Sequence, residues 1–181
     1  MNYGNIKKFD IANGKGVRLS LFVSGCKFHC KDCFNEEAWD FNYGNNYNAL
    51  TEKEILNHIT LPYIAGLSIL GGDPLWQSYT DIMELINLCK EVHKLNKDIW
   101  IWSGFTWDEI FIQGETTLDN IARQNLISNC DVFIDGLFEA DKKDLSLAWR
   151  GSSNQRVIDV QKTLEFRKTN PDNKEVILYT E

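Results

Sequence analysis

The chain has no apolar run approaching the roughly 18 residues that a membrane-spanning helix needs, and its first residues hold no apolar core of the secretory kind. Both absences lead to the expectation of a soluble cytoplasmic protein with no membrane partner. Basic charge is short as well: 19 Lys+Arg face 26 Asp+Glu, for a net charge of −7. Non-specific nucleic-acid binding depends on neutralising phosphates, so the balance argues against nucleic acid as a partner. No linker, internal repeat or low-complexity block breaks the sequence, and 181 residues suffice for one sizeable core. Residues 1–181 are therefore read as a single domain.

A further shortage is of a fourth cysteine. Cys26, Cys30 and Cys33 crowd into one C-x3-C-x2-C loop directly after the apolar run 19–23, and the next cysteine along the chain is Cys89. Such crowding points to a metal. A cubane iron–sulfur cluster normally takes four thiolates, so three would leave one iron without a protein ligand. An open position of that kind separates a catalytic metal site from a closed structural one. Two other readings stay open on spacing alone. His29 could join the thiols in a Cys3His zinc site, although its adjacency to Cys30 makes convergence awkward, or the cysteines could be reduced and metal-free. Disulfides are disfavoured by the odd count of five cysteines and by the lack of an export signal. Cys89 shares an apolar helix face with Ile82, Leu85 and Ile86, and Cys130 adjoins an apolar strand, so both are expected to be core thiols and not ligands.

In chain order, residues 1–18 are polar and glycine-spotted, with Asn13-Gly14 as a turn signal. Gly14-Lys15-Gly16 lacks the remaining glycine of a dinucleotide fingerprint and precedes a strand instead of following one. Strands are expected at residues 18–23, 66–70, 99–102, 132–134, 157–160 and, as a possible edge, 175–179. Helices are expected from a capping box of Thr51 and Glu54 to about residue 59, over 79–94, over 107–112 and 118–126 with a break at Gly114, and over 161–167. Pro74 is placed to begin a helix.

Strand and helix thus alternate from Leu19 onward, which predicts an α/β fold with a mostly parallel sheet and crossover helices. Four successive strands end alike, in Ser24-Gly25-Cys26, Gly71-Gly72-Asp73, Ser103-Gly104 and Asp135-Gly136. The C-terminal edge of a parallel sheet is where ligands and catalysis collect. Strand-to-helix turns favour glycine and Asp for their own reasons. Four in succession, one of them carrying three cysteines, favour a shared site.

The cysteine loop followed by Gly71-Gly72-Asp73-Pro74 resembles the radical S-adenosylmethionine enzymes. Further stretches resemble, in order, the glycyl-radical activases that serve anaerobic ribonucleoside-triphosphate reductase: Asp10-Ile11 through Asn13-Gly14, Leu21-Phe22-Val23-Ser24-Gly25-Cys26, Cys33-Phe34-Asn35, Trp102-Ser103-Gly104-Phe105-Thr106, Asp131 through Gly136, and Arg150-Gly151-Ser152-Ser153-Asn154-Gln155-Arg156. The resemblance implies a single radical S-adenosylmethionine domain built as a partial (β/α)6-like barrel, the chain being short of the about 250 residues of a closed eight-stranded one. It implies a [4Fe–4S] cluster on Cys26, Cys30 and Cys33, with S-adenosylmethionine chelating the fourth iron. It also implies an electron from a small donor such as flavodoxin or ferredoxin, cleavage to a 5′-deoxyadenosyl radical, and removal of a hydrogen atom from a glycine of the reductase.

By the same resemblance Gly71, Gly72, Asp73 and Pro74 lie along the methionine part, with backbone groups or Asp73 meeting its ammonium, and Ser103 belongs to the cofactor site. Asp32 and Phe34 would be near the adenine end. Many radical S-adenosylmethionine enzymes carry an aromatic residue just before the third cysteine, where this chain has Asp32; the reductase activators resemble this chain in carrying it just after, here Phe34. Arg150, Asn154, Gln155 and Arg156 offer guanidinium and amide donors for docking the reductase. A protein partner also fits the chain length, which leaves little for a separate substrate domain or lid. The alternatives are activation of another glycyl-radical enzyme such as pyruvate formate-lyase, a small iron–sulfur electron carrier, or a zinc-stabilised binding module. The electron carrier is disfavoured by the missing fourth ligand and by the Gly71 to Pro74 turn, which it would not require.

Overall fold

Period-two alternation decides which residues of the central strands face the helices. The computed structural model, which describes residues 1–112, 114 and 116–180, has seven strands: β1 (Asn2–Asp10), β2 (Val17–Val23), β3 (Asn45–Asn46), β4 (Ile64–Gly71), β5 (Asp98–Ser103), β6 (Val132–Asp135) and β7 (Arg156–Asp159). They form one sheet in the order β3-β1-β2-β4-β5-β6-β7. Leu19, Leu21, Val23, Leu67, Ile69, Ile99, Ile101 and Phe133 point to one side, into a core shared with α1 (Ala49–Ile59), α2 (Tyr79–Lys94), α4 (Leu118–Ser128) and α5 (Val160–Thr169). The short α3 (Trp107–Ile110) adds Trp107 and Ile110 to the same core. Trp100, Val132 and Ile134 point to the other side, where Trp102, Trp149, Val157 and Tyr179 pack on them. No helix among the described residues is long and apolar enough to cross a membrane.

The inner strands β2, β4, β5 and β6 run parallel, as the alternation predicts, whereas β1 and β7 flank them antiparallel. The sheet is therefore mixed. Four expectations are corrected. Residues 2–10, where no strand is expected, form one: β1 pairs with both β2 and β3 and packs the partly buried Tyr3 and Ile6 on the core, and its polar look reflects residues that are exposed or only half-buried apart from Asp10. The segment beginning at residue 156 joins the sheet antiparallel, because the connection from β6 holds only a 3-10 turn at Ala140–Lys142 and no crossover helix. Residues 175–179 do not form a strand but lie along β7 through one bridge, Ile158 to Leu178. The first helix is capped by Asn48 and not by Thr51: Asn48 Oδ1 accepts from the N–H groups of Leu50 (2.9 Å) and Thr51 (3.2 Å), and Thr51 is buried in the first turn. Asn is the stronger cap, and the chain is still extended when it reaches Asn48.

Candidate functional site

The strand β2 delivers the cysteine loop at the C-terminal edge of the sheet. Beyond Val23 the backbone is zipped to neighbouring segments: Ser24 N–H donates to the Asn2 carbonyl (2.9 Å), Gly25 N–H to that of Ala38 (2.7 Å) and Cys26 N–H to that of Trp39 (3.1 Å). The 3-10 turn Glu36–Trp39 thereby closes the loop on itself. Inside it, His29 and Asp32 take left-handed φ values of 49° and 57°, and Cys33 N–H bonds back to the Cys30 carbonyl (3.2 Å). Cys26 is buried; Cys30 and Cys33 are half-buried. Burial pushes the Cys26 thiol up to about 11, with repulsion from Asp73 and Cys30 adding to the rise. Cys30 is raised for the same first reason. Burial of this kind disfavours the thiolate, and a bound cation would favour it.

The donor set can be tested against the implied metal. Among the described residues no group of three or more His, Cys, Asp or Glu side chains is arranged to hold a metal ion. The His29 ring is stacked on Trp39 at 4.6 Å between centroids. A cluster instead places its thiolates on separate irons, which suits three soft sulfur donors distributed around one loop. The residues present fit an iron–sulfur cluster.

The end of β4 is pressed against this loop. Gly72 N–H donates to the Val23 carbonyl (2.7 Å) and Asp73 N–H to that of Gly25 (2.8 Å). A Cβ on Gly72 would fall 2.7 Å from the carbonyl oxygens of both Ala38 and Gly25, and Gly71 adopts φ 114°. Only glycine lets the two strand-end loops meet backbone to backbone.

Asp73 follows as the cap of the 3-10 turn Pro74–Trp76, in which Pro74 takes the first position. Its carboxylate is 2% exposed. One oxygen accepts from Leu75 N–H (2.8 Å), the other from Gly104 N–H (2.8 Å), and the Ser103 hydroxyl lies within 3.0 Å of both. Asp73 thus braces the end of β4 against the end of β5. Burial pushes its carboxyl up to about 6, against the pull of the bonds from Gly104, Leu75 and Ser103. Buried Gln77 completes the brace, donating to the carbonyls of Ser24 (3.0 Å) and Asp73 (3.1 Å).

A cavity of ≈ 440 Å³ opens at the same edge, lined by Phe28 of the cysteine loop, Gly104 after β5, Asp135 and Gly136 at the end of β6, Asn154 and Arg156. Its size falls within the roughly 300–1,000 Å³ of small-molecule sites. Buried Asp135 accepts from Trp107 N–H (2.8 Å) and is held by Arg156 through Nε (3.0 Å) and Nη2 (2.5 Å). Nothing in the sequence marks Phe28, Gln77 or this ion pair, since each acquires its place through contacts distant along the chain.

The structure sets the cysteine loop against Gly72 and Asp73 through backbone hydrogen bonds, and ties Asp73 to Ser103. It sets the other candidates differently. Phe34 is 99% exposed and lines a separate hollow with Phe22, Lys7 and Tyr43. Asp32 is also exposed. The donors foreseen for docking are largely used within their own loop. Arg150 Nη1 donates to the Gln155 carbonyl (2.6 Å), Asn154 Nδ2 to that of Leu137 (2.8 Å) and Gln155 Nε2 to that of Gly136 (2.9 Å), while Arg156 pairs with Asp135. Cys89 and Cys130 are fully buried in the main core.

Residues 12–158 match the family model of a 4Fe-4S single cluster domain. Three relatives share one name, anaerobic ribonucleoside-triphosphate reductase-activating protein. That of Escherichia coli (strain K12) is 39% identical over 160 residues, spanning 87% of this chain and 97% of the relative. That of Pasteurella multocida (strain Pm70) is 40% identical over 159 residues, spanning 86% and 95%, and that of Enterobacteria phage T4 is 36% identical over 158 residues, spanning 87% and 93%. Likeness of this degree, over nearly the full length of each relative, means that the chain belongs to the family of anaerobic ribonucleoside-triphosphate reductase-activating proteins.

Proposed function

We propose that the protein generates a glycyl radical on anaerobic ribonucleoside-triphosphate reductase, with a [4Fe–4S] cluster on Cys26, Cys30 and Cys33 and S-adenosylmethionine at the open iron. The observation that carries this reading is the backbone seam joining the cysteine loop to the Gly71 to Asp73 turn beside the ≈ 440 Å³ cavity. When bound, the cluster and S-adenosylmethionine supply electron-driven sulfonium cleavage to a 5′-deoxyadenosyl radical, which takes a hydrogen atom from glycine.

The chain's own residues bind, orient and exclude water. Gly71, Gly72, Asp73 and Pro74 would lie along the methionine part, and the Asp73 carboxylate, braced by Ser103, would supply negative charge that favours its ammonium. Phe28 and Leu137 supply apolar wall to the cavity. Asp32 and Phe34, which flank Cys33, would lie near the adenine end. The parallel strands β2, β4, β5 and β6, with helices on one face, support a partial (β/α)6-like barrel. The reductase docks over the open edge near Arg150, Asn154, Gln155 and Arg156, and a small cytoplasmic carrier such as flavodoxin or ferredoxin delivers the electron.

The test reconstitutes the protein anaerobically, reduces it, adds S-adenosylmethionine and the reductase, and records electron paramagnetic resonance. A doublet glycyl signal on the reductase is expected. It should vanish, with the iron, on changing Cys26, Cys30 or Cys33 to Ser, and persist on changing Cys89 or Cys130. A signal on pyruvate formate-lyase and none on the reductase would transfer the assignment to another glycyl-radical enzyme.

A further inference from the structure

Three strand-end loops meet beneath one guanidinium. Arg123, on α4, donates from Nε to the Leu75 carbonyl (2.9 Å). Its guanidinium carbon lies 4.5 Å from the ring centroid of Phe105 and 5.3 Å from that of Trp76. Those rings are 4.9 Å apart, and both touch Phe28, at 4.9 Å from Phe105 and 5.4 Å from Trp76. Leu75 and Trp76 follow β4, Phe105 follows β5, and Phe28 stands between Cys26 and Cys30. Phe28 sits so close to β5 that a Cβ on Gly104 would fall 2.6 Å from its ring. The cysteine loop therefore has an aromatic plug, and the socket that receives it is closed by a cation from a helix remote in sequence.

A planar guanidinium suits this post. It can cover two ring faces while one N–H bonds a carbonyl, whereas a lysine ammonium acts as a point charge on a flexible stem. Seating Phe28 constrains the backbone joining Cys26 to Cys30. We infer that Arg123 is a positioning residue of the cysteine loop: by closing the socket of Phe28, Trp76 and Phe105 it holds Cys26 and Cys30 in the arrangement that a cluster needs. The inference rests on the reading of these thiols as cluster ligands, but its first test needs no metal.

In metal-free, reduced protein at one pH, thiol alkylation is followed residue by residue by mass spectrometry for the wild type, Arg123→Met and Arg123→Lys. Loss of the ring contacts and the hydrogen bond in Arg123→Met should raise the Cys26 rate roughly tenfold, with Arg123→Lys in between. Cys89 and Cys130, fully buried in the main core, should stay slow in all three. After reconstitution, Arg123→Met should lose iron to a chelator several-fold faster than the wild type. An unchanged Cys26 rate would overturn the inference, and so would equal acceleration at Cys26, Cys89 and Cys130, which would reduce Arg123 to a general support of the fold. Wild-type protein that takes up no iron would overturn the cluster reading instead, whatever the alkylation result.

Discussion

At Asp73 two demands meet in one carboxylate. It is buried, which raises its pKa to about 6 from an ordinary 3.8, and it is the acceptor that ties Leu75, Ser103 and Gly104 together. Because the folded value lies above the unfolded one, the folded state keeps its proton where the unfolded state has lost it. The Asp73 contribution therefore makes stability fall as pH rises through the window from about 4 to 6, and it is level above that. Thermal melts of metal-free protein across this window should show that slope in the wild type and a flatter profile in Asp73→Asn. Equal slopes would place the proton elsewhere. The resemblance assigns this residue a cofactor contact, and the structure also makes it the cap of the 3-10 turn Pro74–Trp76. What no local pattern conveys is the bond to Ser103, 30 residues away. The three loop cysteines stand out as candidates for the opposite reason, since a cluster of thiols on one short loop needs no distant partner to be noticed.

Among the elements, the seam between the cysteine loop and the end of β4 has little room for change. In Gly72→Ala the new methyl would meet two backbone carbonyls at 2.7 Å, and neither can rotate away. A loss on the order of 1–3 kcal/mol is expected for such overpacking, read as a lower urea midpoint of the metal-free protein, together with poorer retention of iron. A wild-type midpoint would mean that the loop yields freely and that the seam does not hold the site. The inner strands were readable because alternation and terminal glycines are local signals. Residues 2–10 hid theirs, since a strand only partly buried on the core needs few apolar residues and its pairing with β2 and β3 is a long-range choice. Asn48 and Thr51 could each cap, and the extended approach of the chain decided between them.

Over the whole molecule, the sheet face opposite the helices depends on Arg18. This fully buried residue pairs with Asp98 (2.6 Å), donates to the Ser68 hydroxyl (2.7 Å) and the Leu67 carbonyl (2.9 Å), and lies 5.3 Å from a ring centroid of Trp100. Arg18→Met would keep the bulk and strand the acceptors. Removing one partner of a buried pair costs about 3–5 kcal/mol; since the Asp98 side chain is 44% exposed and keeps part of its hydration, a loss of about 2–3 kcal/mol is expected. Urea denaturation of the metal-free protein measures it, and a change below about 1 kcal/mol would show that solvent replaces the guanidinium without difficulty.

The sequence by itself determined the parallel inner strands, the C-x3-C-x2-C loop, the Gly71 to Pro74 turn and the place of Cys89 and Cys130 in the core, because these depend on periodicity, chain spacing and apolar context. Tertiary structure alone decided that Asp73 braces two strand ends, that Arg156 is bound to Asp135, that Phe34 stands outside the large cavity, and that Arg123 closes the socket under Phe28. Each of these rests on contact between surfaces separated along the chain. Such contacts are set by how α4 and the strand-end loops pack over the sheet, and residues there carry no local trace of the partner they will meet.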